Sequence, residues 1–404
     1  MSHLKTTQVA EPSTPAASTQ LTYADSGNSG RLTSKDSNGI VSVLANVKAV
    51  NLLRNAGFWF AQRQTPGSAQ TYSNIGGRIL TADGWWGNNE NASFTYARVD
   101  TSGSPESGIA GRYYGQYIKI TNAGKLAIGQ VIEGAEIESY RGRNVRFRMK
   151  LKATVTATTY NIAVVALGSG GTVDTVPSTA NTFFTAYGAD GVDNTLGSNL
   201  TYLAPTSGKT GDNCTAGTNC YACSVTTSWQ RFSGVFTVPT TCKNLVVLVY
   251  SHNDVPISSG INITEAMLVD GEDIPDWSHQ SLPEEQYRVQ RFYQKSFALE
   301  TAPATNVGVN TGEQRAIAGK AGAVANSGFI PWYYQPKLHR SVTPTVYNPG
   351  AANALARNIT GTADMGTTTI TGSNECGSYV NCTGVAATAV GDLIGIHWSA
   401  DAEL

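Results

Sequence analysis

From Asn144 to Val155 the chain reads NVRFRMKLKATV, so that Val145, Phe147, Met149, Leu151, Ala153 and Val155 alternate with Arg146, Arg148, Lys150, Lys152 and Thr154. That is period two, a strand with one buried and one wet face. SFTYARV, QYIKIT, LAIGQVIE, NIAVVAL, RFSGVFTV, NLVVLVYS and INITEAMLV read as further strands, each bounded by Gly, Asn, Asp, Pro or Ser. The series begins abruptly at Asn51, where NLLRNAGFWF sets Phe58, Trp59 and Phe60 side by side after mostly small and polar residues, and it runs to about His279. Eight or more such antiparallel strands predict a β-sandwich of the jelly-roll type over residues 51–279. A long insertion, from about Gly168 to Thr226, is expected to loop off one end.

The flanks read differently. Residues 1–20 are polar, contain Pro12 and Pro15, and show no periodicity. Short strands between turns follow up to Leu44, with Asn38-Gly39 suited to a tight hairpin because both turn positions need positive φ. The apolar residues there are too few for a core, so residues 1–50 are expected to be stable only when paired with other copies or a larger assembly. SLPEEQYRVQRFYQKSF predicts a linking helix over 280–296, with Ser281 as N-cap and Glu284 completing a capping box. Strand patterns then return over 297–404, among them SGFIPWYYQ and LIGIHWSA, predicting a second β domain.

Composition agrees with an all-β chain: 42 Gly and 18 Tyr in 404 residues, with 14% charged residues. The formal net charge of −1 and the absence of a basic cluster leave no electrostatic footprint for nucleic acid. No stretch approaches the roughly 18 apolar residues of a membrane span, and the first residues lack a secretory apolar run, so neither membrane insertion nor Sec export is expected.

Six cysteines are unevenly placed: Cys214, Cys220, Cys223 and Cys242, then Cys376 and Cys382. CTAGTNC and CGSYVNC share a loop length and an Asn-Cys ending, which suggests two locally closed loops and leaves Cys223 for Cys242. Reduced thiols are an alternative. A four-cysteine zinc site is another, weakened because only Cys220 and Cys223 form a C-x2-C pair.

Taken in order, LTYADSGNSGRLTSKDSNGIVSVL, NLLRNAGFWFAQRQTPGS, LTADGWWG, GQVIEGAEIESYRGRNVRFRMKLKA, WQRFSGVFTVP, EAMLVDGEDIPDW, EEQYRVQRFYQKSF and HWSADAEL resemble bacteriophage virion fibre proteins, head or tail, whose body is a carbohydrate-binding-module-like jelly roll. The chain departs from that family at FAQR, where a tryptophan is expected, and in the cysteine-rich insertion. The resemblance implies a virion protein and a homotrimer. It implies attachment to capsid or tail proteins through residues 1–50, a sandwich body and an outward C-terminal tip.

Candidate chemistry is sparse. Trp59, Trp85, Trp86 and Tyr113 are candidates for stacking on sugar rings of host-surface glycans, although aromatics also build cores. Adjacent residues of a strand face opposite ways, so one of Trp85 and Trp86 is expected inside and the other is free to be exposed. The row Arg146, Arg148, Lys150 and Lys152 reads either as an attractor for acidic polysaccharide or as the solvated face of a strand near a sheet edge. Glu133, Glu136, Asp270, Glu272, Asp273 and Asp276 lie near strand ends, and Asn51, Glu133 and Asp270 are candidates for a structural calcium, the one cofactor the sequence permits.

No catalytic residue is assigned. A polysaccharide depolymerase would need paired carboxylates about 5 to 10 Å apart, which nothing in the sequence singles out. His3, His252, His279, His339 and His397 are scattered, without metalloprotease or nucleophile-elbow spacing. The sequence therefore points to a non-enzymatic fibre that adheres to glycans. A depolymerase and a purely stabilising capsid fibre are the alternatives.

Overall fold

The computed structural model describes residues 8–9, 21–25, 31–35, 41–43, 50–65, 67–73, 77–90, 93–155, 157–179, 182–208, 211–271, 277, 280–321, 324–386 and 388–404. His3, Pro12, Pro15, the Asn38-Gly39 turn, Glu272, Asp273, Asp276 and His279 lie outside them. The architecture is all-β apart from short helices. Near the N-terminus, Leu21–Asp25, Arg31–Lys35 and Val41–Val43 form an antiparallel meander, with Gln8–Val9 parallel to its first strand.

Two antiparallel sheets form the central sandwich. The first runs through Gln230–Thr237, Asn144–Ala153, Gly260–Asp270, Tyr113–Lys119, Phe94–Asp100 and Gln70–Tyr72. The second runs through Cys214–Ala216, Tyr221–Val225, Thr158–Leu167, Asn244–Ser251, Leu126–Ile132, Trp86–Asn89 and Ile79–Leu80, with Leu200–Tyr202 added beside Thr158–Leu167. Their inner faces share one core, to which Val145, Phe147, Met149 and Leu151 contribute from one sheet and Ile128, Ile162, Val247 and Val249 from the other. The alternation in Asn144–Ala153 is what puts those four side chains inside, and Val155, beyond the strand, is exposed.

The insertion does not loop away. It supplies three strands to the second sheet, and its Phe184–Ala186 and Thr195–Leu196 pair lies over that sheet's outer face. Phe183, Phe184 and Leu200 build a second core there with Trp86, Val246, Leu248 and Tyr250. The sheet is buried on both faces, which explains why NLVVLVYS is apolar throughout rather than alternating.

The predicted linking helix is shorter than 280–296. It spans Leu282–Gln290, and Tyr293–Lys295 is already a strand paired with residues 399–401. Ser281 is the N-cap residue but makes no capping bond to the backbone; its hydroxyl meets the Glu284 carboxylate at 3.5 Å instead. In the C-terminal region Leu393–Asp401 is the organising strand, paired with Tyr293–Lys295, Gln314–Ile317, Thr345–Tyr347 and Arg357–Asn358. A second small sheet orders Gly319–Ala321, Val324–Tyr333, Gly377–Cys382 and Thr368–Thr371.

Cysteine pairing differs from the expected loops. Cys214 is bonded to Cys223, its direct cross-strand partner, with Cα atoms 4.5 Å apart. Cys220 lies instead in the outer core, Cys242 is buried, and both are free thiols held protonated, burial pushing Cys220 up to about 11 and Cys242 up to about 12. Cys376 and Cys382 are also free. Cys376 immediately precedes the strand Gly377–Cys382 and Cys382 ends it, and an extended run of that length separates its ends by about 20 Å, far beyond disulfide reach.

Residues 401–404 fix the C-terminal region onto the sandwich. Glu403 is buried; its Oε1 accepts from the Gly84 N–H at 2.8 Å and its Oε2 lies 3.4 Å from Arg54 Nη2. Arg63 joins Asp83 at 2.8 Å to Asp401 at 2.9 Å, and Arg78 Nη1 donates to the Leu404 carbonyl at 2.8 Å. The Arg54 and Arg63 guanidiniums stack on Phe292 and Tyr293 at 3.6 and 3.9 Å. Glu403→Ala removes one partner of a buried charge cluster and should lower the unfolding free energy by about 3 kcal/mol in denaturant titration.

His339 makes a second tie. Its Nδ1 lies 3.3 Å from Glu133, its Nε2 3.5 Å from Asp174, and its ring stacks on Phe292; Arg291 shares Glu133 at 2.9 Å. Burial opposes the imidazolium, but Asp174 and Glu133 outweigh it and raise the group to about 9. A pKa raised on folding adds stability that is complete below the unfolded value of about 6.5 and disappears as pH rises through the folded one. Thermal unfolding of wild type and His339→Gln should therefore differ most at pH 6 and converge by pH 10.

Candidate functional site

The strand Val324–Tyr333 ends in the segment GFIPWYY, which runs one residue past it to Tyr334 and in which every position is apolar or aromatic. Alternation sends Ile330, Trp332 and Tyr334 into the C-terminal core, where Trp332 stacks on Trp398 at 5.4 Å and Tyr334 meets the same ring edge-on. The same rule turns Phe329, Pro331 and Tyr333 outward. Phe329 is 51% exposed and Tyr333 76% exposed. Pro331 is tolerated because residues 328–333 pair with 377–382 on one side of the strand only.

The neighbouring strands complete the surface. Tyr379 lies opposite Pro331, and its ring meets Phe329 at 4.7 Å between centroids, tilted by 43°. Asn381 faces Phe329, while Thr371 and Thr369 follow in the next strand, opposite Tyr379 and Asn381. Gly372, at φ +62°, turns the chain tightly beneath the Tyr379 ring, where an added Cβ would stand 2.4 Å from Cε1. An open groove of about 320 Å³ results, floored by Phe329, Pro331, Tyr333 and Tyr379 and walled by Asn374 and Ser378. Aromatic faces carry partial negative charge and match the C–H faces of pyranose rings, and the exposed Asn374 amide can donate to sugar hydroxyls, while the Ser378 hydroxyl is buried on Ser373.

The residues singled out from sequence fare differently. Trp85 is fully buried, stacked on Phe58 at 5.2 Å and donating to the Asn55 carbonyl. Trp86 points to the opposite face, as expected, but the insertion covers it, with Phe183 at 5.0 Å. Neither can stack on a sugar. Trp59 and Tyr113 are brought together at 4.9 Å, Trp59 half-buried and Tyr113 buried, with the Arg98 and Arg112 guanidiniums over the Tyr113 ring at 4.6 and 4.9 Å. Tyr113 is thereby stacked within the protein.

The basic row is neutralised rather than free, and its strand is flanked on both sides rather than lying at an edge. Arg146 pairs with Asp212 at 3.4 Å, Lys150 with Glu265 at 2.9 Å and Lys152 with Glu106 at 2.6 Å, while Arg148 is buried.

The calcium candidates are each committed elsewhere. Asn51 bonds the backbone of Leu53, Ala266 and Leu268; Glu133 pairs with Arg291 and His339; Asp270 pairs with Arg143. Among the described residues no group of three or more His, Cys, Asp or Glu side chains is placed to hold a metal ion, zinc included. No helix among them is long and apolar enough to cross a membrane. His397 is buried between Ser296 and Thr311, and His252 bonds Asn161, so the described histidines serve separate packing roles.

No family model and no curated protein matches the chain. Solved structures that resemble it include the enzymatically active domain of bacteriophage CBA120 tailspike protein 4, at 12% identity and TM-score 0.29, with 55% of this chain and 22% of that one covered. The carbohydrate-binding module and catalytic module of Clostridium thermocellum endo-1,4-β-D-xylanase 10B match at 11% identity and TM-score 0.28, with 51% and 29% covered. The tandem N-terminal carbohydrate-binding modules of Paenibacillus barcinonensis Xyn10C match at 11% identity and TM-score 0.27, with 84% and 91% covered. At these scores none carries an inference about the chemistry of this chain.

The two faces of GFIPWYY should respond oppositely to truncation. Tyr333→Ala removes an exposed ring and should change unfolding free energy by less than about 0.5 kcal/mol, whereas Trp332→Ala should cost about 3 to 5 kcal/mol, both read by denaturant titration.

Proposed function

We propose that the chain is a non-enzymatic fibre protein of a phage particle that adheres to host-surface glycans through the outward aromatic row of Phe329, Tyr333 and Tyr379. Two large rings, each more than half exposed, beside a third and a polar rim are the observation that carries the adhesive part of this reading. The fibre part is supported by the ordered motif series in the sequence, with residues 1–50 attaching to capsid or tail proteins and three copies forming a homotrimer. In this division 51–279 is the jelly-roll-like body, 280–296 contains the linking helix and 297–404 is the tip that meets the cell surface.

The experiment is adsorption of the purified full chain to polysaccharide from susceptible cells. Phe329→Ala and Tyr333→Ala should each weaken adsorption about tenfold, the equivalent of roughly 1.4 kcal/mol. Tyr287→Ala, which removes an exposed tyrosine from the helix Leu282–Gln290, should leave it unchanged. Unaltered adsorption by both aromatic variants contradicts the assignment. So does a fall in oligomer mass on light scattering, which would make the face a contact between copies. Release of reducing sugars by the wild-type chain would replace the non-enzymatic reading with a depolymerase.

A further inference from the structure

One pair of polar side chains inside the sandwich has no part in the adhesive surface. In Tyr113–Lys119 the inward positions include Tyr117 and Lys119, both at 0% exposure. In the opposing sheet, Trp86–Asn89 sends Gly87 and Asn89 inward: a Cβ on Gly87 would strike the Phe94 ring of the shared core at 2.5 Å. Trp86 and Asn88 face the outer cover, where Asn88 accepts from the Tyr187 hydroxyl. Lys119 and Asn89 therefore approach each other from different sheets.

Their chemistry is unusual for a core. Lys119 Nζ lies 3.4 Å from Asn89 Oδ1 and 2.9 Å from the Glu90 carbonyl, so its hydrogen-bond partners are a carboxamide and a backbone oxygen. Asn89 is 1% exposed, and its Nδ2 is enclosed with no acceptor among the described residues. A buried amide nitrogen without a partner is costly, and so is an ammonium solvated by two oxygens. Burial lowers the Lys119 amine to about 8 against the pull of Glu90 and Asp254, leaving a neutral, nucleophilic fraction near neutral pH.

We propose that Lys119 and Asn89 condense to an intramolecular amide that covalently joins the two sheets. The amine lone pair adds to Asn89 Cγ, and the tetrahedral adduct breaks its Cγ–Nδ2 bond. One amine proton passes to Nδ2, which leaves as ammonia, and the other remains on the new amide. No oxidant or reductant enters. Fixed contact replaces a bimolecular encounter, and the dry site protects the product from hydrolysis. Both costly groups disappear in the product.

The test is the mass of the purified, reduced full chain. Loss of ammonia should place it about 17 Da below the sequence mass. Tryptic fragments should contain a branched peptide in which Lys119 Nζ is bonded to Asn89 Cγ and cleavage after Lys119 has failed. Asn89→Ala and Lys119→Arg should each return to their own sequence masses. A wild-type chain at full sequence mass with only linear peptides overturns the proposal. A deficit confined to one unbranched peptide containing Asn89, the mark of a succinimide, overturns it too. The wild-type reading decides the matter even if a variant fails to fold.

Discussion

The buried charges around Glu403 fix how the C-terminal region sits on the sandwich. Arg54, Asp83 and Glu403 are all buried, and each would be strongly unfavourable alone. Their charges are satisfied only when three distant stretches meet: the start of the sandwich at Arg54 and Arg63, the turn at Asp83 and Gly84, and residues 401–404. A cluster of this kind adds little net stability over apolar packing but strongly disfavours other dockings, because any shift strands a charge. Leu393–Asp401, which runs directly into it, is also the strand against which four others of the C-terminal region pair. The cluster and the His339 ion pairs thus hold the C-terminal region against the sandwich at two separate points.

The strands of the sandwich were legible because their inner faces obey period two, as Val145, Phe147, Met149, Leu151 and Ala153 do in Asn144–Ala153, where Arg148 alone of the outer positions is buried. Trp86 was not, because alternation states which way a side chain points and not what later chain will cover it. The cover comes from Phe183, nearly a hundred residues on. The cysteines misled for a related reason: loop length and a shared Asn-Cys ending say nothing about strand register, and register is what sets Cys214 against Cys223. The helix was shortened by tertiary pairing, since Tyr293–Lys295 gains a ladder with residues 399–401.

The aromatic groove was hidden in plain composition. GFIPWYY is apolar on both faces, so hydrophobic patterning could not distinguish the side that packs from the side that faces solvent. The available signal was Pro331, which demands a strand without a neighbour on one side and so hints at an open edge. The basic row itself offers little for recognition by charge, since three of its members are paired with acids and the fourth is buried. The groove presents a set of rings with the exposed amide of Asn374 beside them, a surface suited to neutral hydroxylated ligands.

Hydroxyl-radical footprinting of the full chain, free and saturated with polysaccharide from susceptible cells, tests that claim most directly. Phe329, Tyr333 and Tyr379 should oxidise readily in the free protein and be protected together in the complex, with Trp59 and Tyr287 unchanged. Protection centred on Trp59, or oxidation of the three rings that is the same with and without polysaccharide, would contradict it.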